Sequence, residues 1–408
     1  MNTYGACGLF AFLTFIAPGA MARDGEGLSD MRRARARKAS SEEPSTPEAA
    51  KTGEGPKETP VWDLGVFGYL RVGYENVQRD DRYTFVGANN GFILESARVG
   101  FEAIHRPYNL TFRISAEGAS DVQTGLNTPL GLLDFRLRDA FVRYDPWSFI
   151  GIALGQLKAP FAEEELRGTQ DLLFASRAVG QEGVLVGRGF QQPGIALDRQ
   201  LGLMISPQKA IKIAGDVHAA YYAMVMNGNG VNQMLDDNAK LGVVGRAELG
   251  YGEYVRIGAG AYYNPRTVGT PPNYYEENDV GLAADVALKF RGFEALGQFA
   301  QVRTTFPTVN SQAQTKLAFH LQAGYEIALP HIGITPAYRY AHYHPWSGTG
   351  NVNGQDYTAF RLDYHTVGLR LRGEKLPLSL WANYTFTVEP DARKLANNRL
   401  EILAQVVF

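Results

Sequence analysis

Cysteine is nearly absent: Cys7 alone among 408 residues. If the N-terminal segment is removed, as argued below, the mature chain has none. That excludes a disulfide scaffold, a zinc cluster and a thiol nucleophile. Long apolar runs are missing too. After residue 60 no stretch approaches the ~18 consecutive apolar residues of a membrane-spanning helix. Charged residues are 20%, a little low for a soluble protein, and the formal net charge is −2. Residues 1–60 carry eight basic and eight acidic side chains, leaving 32 and 34 in the rest. No overall field favours nucleic acid, and no nucleic-acid partner is expected. Catalytic signatures are absent as well. There is no Gly-x-Ser-x-Gly, and no Gly-Lys-Ser/Thr follows Gly187-Arg188-Gly189. Neither enzymatic activity nor a cofactor is expected.

What remains is rich in glycine (45 residues) and aromatics (12%), with Tyr (21) and Phe (22) far above Trp (4). Residues 1–22 read as a signal peptide. An apolar run from Leu9 to Ala17 precedes an Ala20-Met21-Ala22 cleavage site, although no Lys or Arg precedes the run. Residues 23–60 hold a basic run, Arg32 to Lys38, then acidic, Pro, Ser and Thr residues. That composition predicts a disordered or partly helical periplasmic tether.

From Val61 onward the hydrophobic period is two. Leu317, Phe319, Leu321, Ala323, Tyr325 and Ile327 point one way, and Ala318, His320, Gln322, Gly324 and Glu326 the other. Segments around 255–263, 280–290, 366–372, 378–386 and 399–408 alternate likewise. A tilted strand rising ~3.4 Å per residue crosses the apolar layer in about ten residues. A soluble sandwich also alternates, so the connections decide. Short links fall at 105–108, 145–148, 207–209, 251–253, 291–292, 329–331 and 373–376. Longer polar links fall at about 80–91, 120–131, 158–191, 227–239, 266–278, 304–315, 345–358 and 389–398. Short turns on one side and long loops on the other mark outer-membrane barrels. The expectation is an all-β, transmembrane antiparallel β-barrel over 61–408 with about 16 strands, ending on the amphipathic run to Phe408. Only helices and closed barrels satisfy all backbone groups in lipid.

Three stretches carry a family resemblance. Ala97-Arg98-Val99-Gly100-Phe101-Glu102, Leu137-Arg138-Asp139-Ala140-Phe141-Val142-Arg143-Tyr144, and Gly155-Gln156-Leu157-Lys158-Ala159-Pro160-Phe161 with Glu163-Glu164-Glu165-Leu166 resemble the phosphate-selective porin O and P family of outer-membrane porins. In the second stretch Arg143 stands where that family commonly has an acidic residue. The resemblance implies a homotrimer in the outer membrane, surrounded by its lipids, and a third external loop folded inward to narrow the pore. It implies passive diffusion of small hydrophilic solutes, with a possible preference for anions such as phosphate. Yet the barrel is slightly acidic, and the third loop holds Glu163, Glu164, Glu165 and Glu182 beside Arg167, Arg177 and Arg188.

Strand parity and loop position select the pore-lining, anion-path candidates: Arg71, Arg98, Arg113, Lys158, Arg167, Arg177, Arg188, Arg246, Arg256, Arg339, Arg370 and Arg372. Arginine stays charged and binds phosphate bidentately. Two readings stand side by side: pairing with Asp and Glu across the wall, or an uncompensated arginine path. Tyr262-Tyr263, Tyr274-Tyr275, Tyr338, Tyr340, Tyr343 and Trp346 are expected in interfacial girdles. Trp381 is a weaker candidate for a lumen sugar contact. His342 and His344 share a strand face but lack an evident third ligand, so no metal site is expected. The alternative function is surface binding or adhesion through the external loops.

Overall fold

The computed structural model describes residues 61–125, 128–270, 272–308, 312–347, 351–352, 355–373 and 377–408. The expected signal peptide and tether lie outside the described residues. The strands are β1 (Trp62–Val77), β2 (Gly91–His105), β3 (Leu110–Gly125), β4 (Thr128–Trp147) and β5 (Ile150–Lys158). β6 (Arg199–Ser206) resumes at Ile211–Ala214. β7 (Val217–Met226), β8 (Gly242–Tyr251), β9 (Val255–Thr270), β10 (Asn273–Phe290) and β11 (Phe293–Thr305) follow. β12 (Gln314–Tyr325) resumes at Ile327–Leu329. β13 (Ile332–His344), β14 (Leu362–Gly373), β15 (Leu378–Val388) and β16 (Arg399–Val407) complete the set. The result is a closed, antiparallel barrel of 16 strands.

Closure is the pairing of β1 with β16, from Tyr69↔Val407 to Val77↔Arg399. Mutual bonds between Gly68 and Phe408, 2.9 and 3.0 Å, extend it. With no free edge, each strand's backbone groups find partners on both sides. The period of two then sorts the side chains into two faces. Outward residues are apolar and open: Leu321 is 61% exposed, Leu282 55% and Ile257 51%. Gln322, next to Leu321 in sequence, is buried on the inner face, as are Asp285 and Arg246.

The connections differ from expectation in three places. The predicted turn at 207–209 is a break within β6, and the hairpin turn lies at Gly215 and Asp216. Pro207 cannot donate to a ladder, so the strand is interrupted there without reversing. Gly215 has φ +53°, the left-handed conformation that a tight reversal needs. The predicted loops at 120–131 and 266–278 are instead hairpins continued by β3–β4 and β9–β10, paired to Gly125↔Thr128 and Thr270↔Asn273. Polar side chains there conceal ladders that backbone bonding still completes. The 374–376 part of the last short link lies outside the described residues.

The aromatic positions also need correction. Tyr263, Tyr274 and Tyr338 are exposed, but Tyr262 and Tyr343 are buried on the inner face. Tyr262 meets the Phe161 ring edge-on at 4.8 Å, and the Tyr343 hydroxyl donates to Pro193 O. An unforeseen belt lies beside the short turns: Trp62, Tyr108, Trp147, Tyr251, Tyr254, Phe290 and Tyr325, all exposed. Amphipathic rings favour the boundary between lipid and water.

If the outer face meets lipid, Leu321→Arg lowers folding stability by about 2–4 kcal/mol near the midplane, and Leu321→Ala by less. Urea unfolding in phospholipid vesicles reads the difference. Equal effects of the two substitutions would contradict a lipid-facing position.

Candidate permeation pathway

The inner face of β1–β6 is a lattice of arginines and carboxylates. Arg98 bonds Asp139 and, at 2.9 Å, the Ser115 hydroxyl. Arg113 lies 3.5 Å from Glu102 and 3.7 Å from Asp139. Arg138 bridges Glu117 at 3.0 Å and Asp198 at 3.3 Å, and Arg199 bridges Asp139 at 2.7 Å and Asp198 at 3.2 Å. Arg71 pairs with Glu95 at 3.1 Å. A buried ion lacking a partner is costly, and each carboxylate here offsets part of that cost. Arg143, the departure from the family pattern, bonds Asp145 at 2.8 Å and the Ser206 hydroxyl at 2.9 Å, tying β4 to β6 near the turns.

Residues 159–198 connect β5 to β6 and run among inner-face side chains from most of the barrel. One-turn helices at Glu163–Leu166 and Val179–Glu182 shape the segment. Its carbonyls accept from the wall: Phe161 from Arg246 at 3.2 Å, Leu172 from Arg370 at 3.2 Å, Ala175 from Arg71 at 2.6 Å, and Ser176 from Arg339 at 2.8 Å. Its carboxylates pair in the same way. Glu163 meets Arg256, Arg167 at 3.0 Å and Arg246 at 3.6 Å. Arg167 also reaches Glu294 at 2.7 Å, and Arg188 joins Glu75, Glu182 and Glu401. Apolar contacts hold one side: Phe161 and Val179 belong to a cluster with Met224, Val244 and Tyr262 on β7–β9.

Most sequence-selected residues are therefore brought together, and most are paired. Arg246 makes a bidentate contact with Asp285 at 2.7 and 2.8 Å. Arg339 and Arg370 have only distant carboxylates, Glu164 at 3.8 Å and Glu326 at 3.9 Å. Three candidates have no ion pair among the described residues. Arg177 donates to the Glu164 and Arg167 carbonyls, the buried Lys158 Nζ has no hydrogen-bond partner, and Arg372 is half-buried on β14. Trp381 is buried under Ala175, with the Arg71 guanidinium 5.7 Å from its ring, and so presents no open lumen surface. His342 faces outward and bonds Asp363 at 2.8 Å. The reading in sequence missed Asp139, Asp198 and Asp285 as partners. Parity gives a side chain's face, but Arg98 and Asp139 sit on β2 and β4 with a strand between them.

Charge in the 159–198 segment is tuned by these contacts. Burial opposes ionisation of Glu163, but Arg256, Arg167 and Arg246 outweigh it and hold the carboxyl below its usual range. At Glu165 burial prevails and pushes the carboxyl up to about 8, with Lys158 opposing and Asp198 adding. A folded value above the ordinary 4.5 stabilises the fold at pH below 4.5. That contribution fades as pH rises through about 8. Stability in urea should thus fall across this interval more in the unaltered chain than in Glu165→Gln. Parallel pH profiles would show that Glu165 does not titrate in that interval.

Comparison with solved structures identifies the class of fold: that of outer-membrane porins. The chain is similar to the anion-selective porin from Comamonas acidovorans, with 13% identity, TM-score 0.55, and 85% of this chain and 100% of that one covered. It is similar to the outer-membrane channel DcaP of Acinetobacter baumannii, with 13% identity, TM-score 0.55, and 87% and 99% covered. A Salmonella typhi OmpF, solved in complex with daunomycin, gives 13% identity, TM-score 0.52, and 85% and 97% covered. No protein-family model matches the chain, and no curated protein matches it.

Proposed function

We propose that this chain is an outer-membrane porin that lets small hydrophilic solutes diffuse passively. The observation that carries the reading is the opposition of faces on a closed barrel: apolar and open outside, charged and buried within. Lipid covers the first, and water enters the second. Similarity in fold to an anion-selective porin and to two other outer-membrane channel structures supports this reading. The segment 159–198 acts as the constriction, because it ties inner-face arginines of β1, β8, β13 and β14 to one strip of backbone. Export by the N-terminal signal, insertion among outer-membrane lipids and assembly as a homotrimer belong to the same proposal.

Selectivity rests on the charges that pairing leaves over. The wall arginines are largely neutralised, so a strong arginine path is not the basis proposed. Arg177 and Arg372 lack ion pairs among the described residues. They give the constriction a weak preference for anions, phosphate included, since fixed charges at close quarters bias a narrow pore.

Purified protein in planar bilayers should conduct, and reversal potentials in a KCl gradient should favour chloride modestly. Arg177→Gln should shift the potential toward cations. Conductance that prefers K⁺ in the unaltered chain would remove the anion preference. Absence of any conductance would remove the porin reading itself.

A further inference from the structure

Phe190, Phe360 and Arg393 come from three separate loops and meet at the loop end of the barrel. The Arg393 guanidinium carbon lies 4.3 Å from the Phe190 ring centre and 3.5 Å from that of Phe360. The two rings make no direct stacking contact among the described aromatic pairs, so the guanidinium occupies the gap between them. Tyr83 and Phe85 pack on Phe190 at 5.1 and 5.9 Å, and Tyr357 stacks on Phe360 at 5.8 Å. Each side of the gap is thereby held by further rings.

The gap opens on a small cleft with Val184, Leu362 and Glu389 among its walls, and the free space of about 20 Å³ holds little more than one water while Arg393 is in place. Glu389 accepts from Leu395 N at 2.8 Å and from Asn397 Nδ2 at 3.3 Å. Neither Glu389 nor Arg393 has an ion pair among the described residues, although both line this cleft. Burial pushes the Glu389 carboxyl up and lowers the Arg393 guanidinium, as expected of two charges that remain incompletely compensated. A flat cation between two ring faces and a carboxylate that feels its charge without reaching ion-pair distance thus stand in one cleft.

We propose that the gap between Phe190 and Phe360 is a binding site for a planar organic cation, a guanidinium or amidinium group, which displaces Arg393 and takes Glu389 as its counter-ion. Arg393 is then the chain's own occupant, held by the two rings and by Glu389 at a distance, with no direct ion pair among the described residues. Part-exposed cation–π contacts favour association only several-fold each. A solute with the same flat cation can therefore exchange with Arg393 at the mouth. An ammonium with methyl groups on all sides matches the charge but not the slot.

The test is isothermal titration of the full chain in detergent micelles with benzamidinium chloride. Tetramethylammonium chloride and sodium benzoate serve as comparison titrants. Benzamidinium should bind, and Arg393→Ala should bind it roughly tenfold more tightly, because two ring contacts no longer compete. Phe360→Leu and Glu389→Gln should weaken binding, and tetramethylammonium should give no saturable heat. Heat-modifiable mobility on gels checks that each variant folds, and Arg393→Met supplies a second vacated slot with the same expected gain. Unchanged or weaker benzamidinium binding by the folded Arg393 variants would overturn the proposal. So would equal binding of tetramethylammonium. Benzoate binding that disappears with Arg393 would establish an anion site there instead. No arm requires conduction, so failure of this site and failure of the porin reading are separate results.

Discussion

A strand in hydrocarbon has no water to bond its backbone, and this one constraint organises the chain. The ladder between β1 and β16 answers it by leaving no edge. Once the sheet is closed, the period of two stops being a mere pattern. It becomes a partition between an exposed apolar face and a buried charged one. Leu321 and Gln322 differ by one position and occupy opposite environments. A register slip of one residue would exchange the faces of an entire strand. Closure, register and the identity of the surrounding medium are thus one condition seen at three scales.

The inner face inherits a second problem. Arginines packed inside a barrel are removed from bulk water, and each needs a counter-charge or a carbonyl. The structure supplies both. Carboxylates of β2–β4, Glu95, Glu102, Glu117 and Asp139, serve one side of the wall. On the other side, Arg246, Arg339 and Arg370 reach the backbone of residues 161–176. Two of these, Arg339 and Arg370, have only distant carboxylates, so the segment after β5 is held by groups that the wall itself compensates least. Its position and the near-neutrality of the wall have a common origin, and a reading based on arginine count alone overstates the positive charge left uncompensated inside the barrel.

The architecture was legible in the sequence because alternation is local. The face of Arg246 follows from apolar neighbours a few residues away. The strand count and most turns follow from the same rule, with the exception at Pro207, where a break in a ladder resembles a reversal. The partners of the charges were not legible. Asp139 joins arginines from β2, β3 and β6, and no periodicity within one strand encodes a relation across several. Tyr262 and Tyr343 failed for a related reason. Their residue type favours the membrane boundary, but position along the strand set them inside, against a loop whose path depends on the whole barrel. The three-loop meeting at Arg393 lies furthest from sequence reasoning, since Phe190, Phe360 and Arg393 belong to segments with no shared pattern.

The neck of the 159–198 segment shows how loop and wall act as one unit. Ala159 N donates to Asp198 O at 2.9 Å, and Asp198 N donates to a Glu165 carboxylate oxygen. The Asp198 side chain meanwhile receives Arg138 and Arg199. The two ends of the segment are therefore clasped by a residue that also completes the charge balance of β4 and β6. Displacement of the segment would have to break that clasp and leave Arg138 and Arg199 with Glu117 and Asp139 alone. The placement of the segment and the pairing of these wall charges are therefore one arrangement.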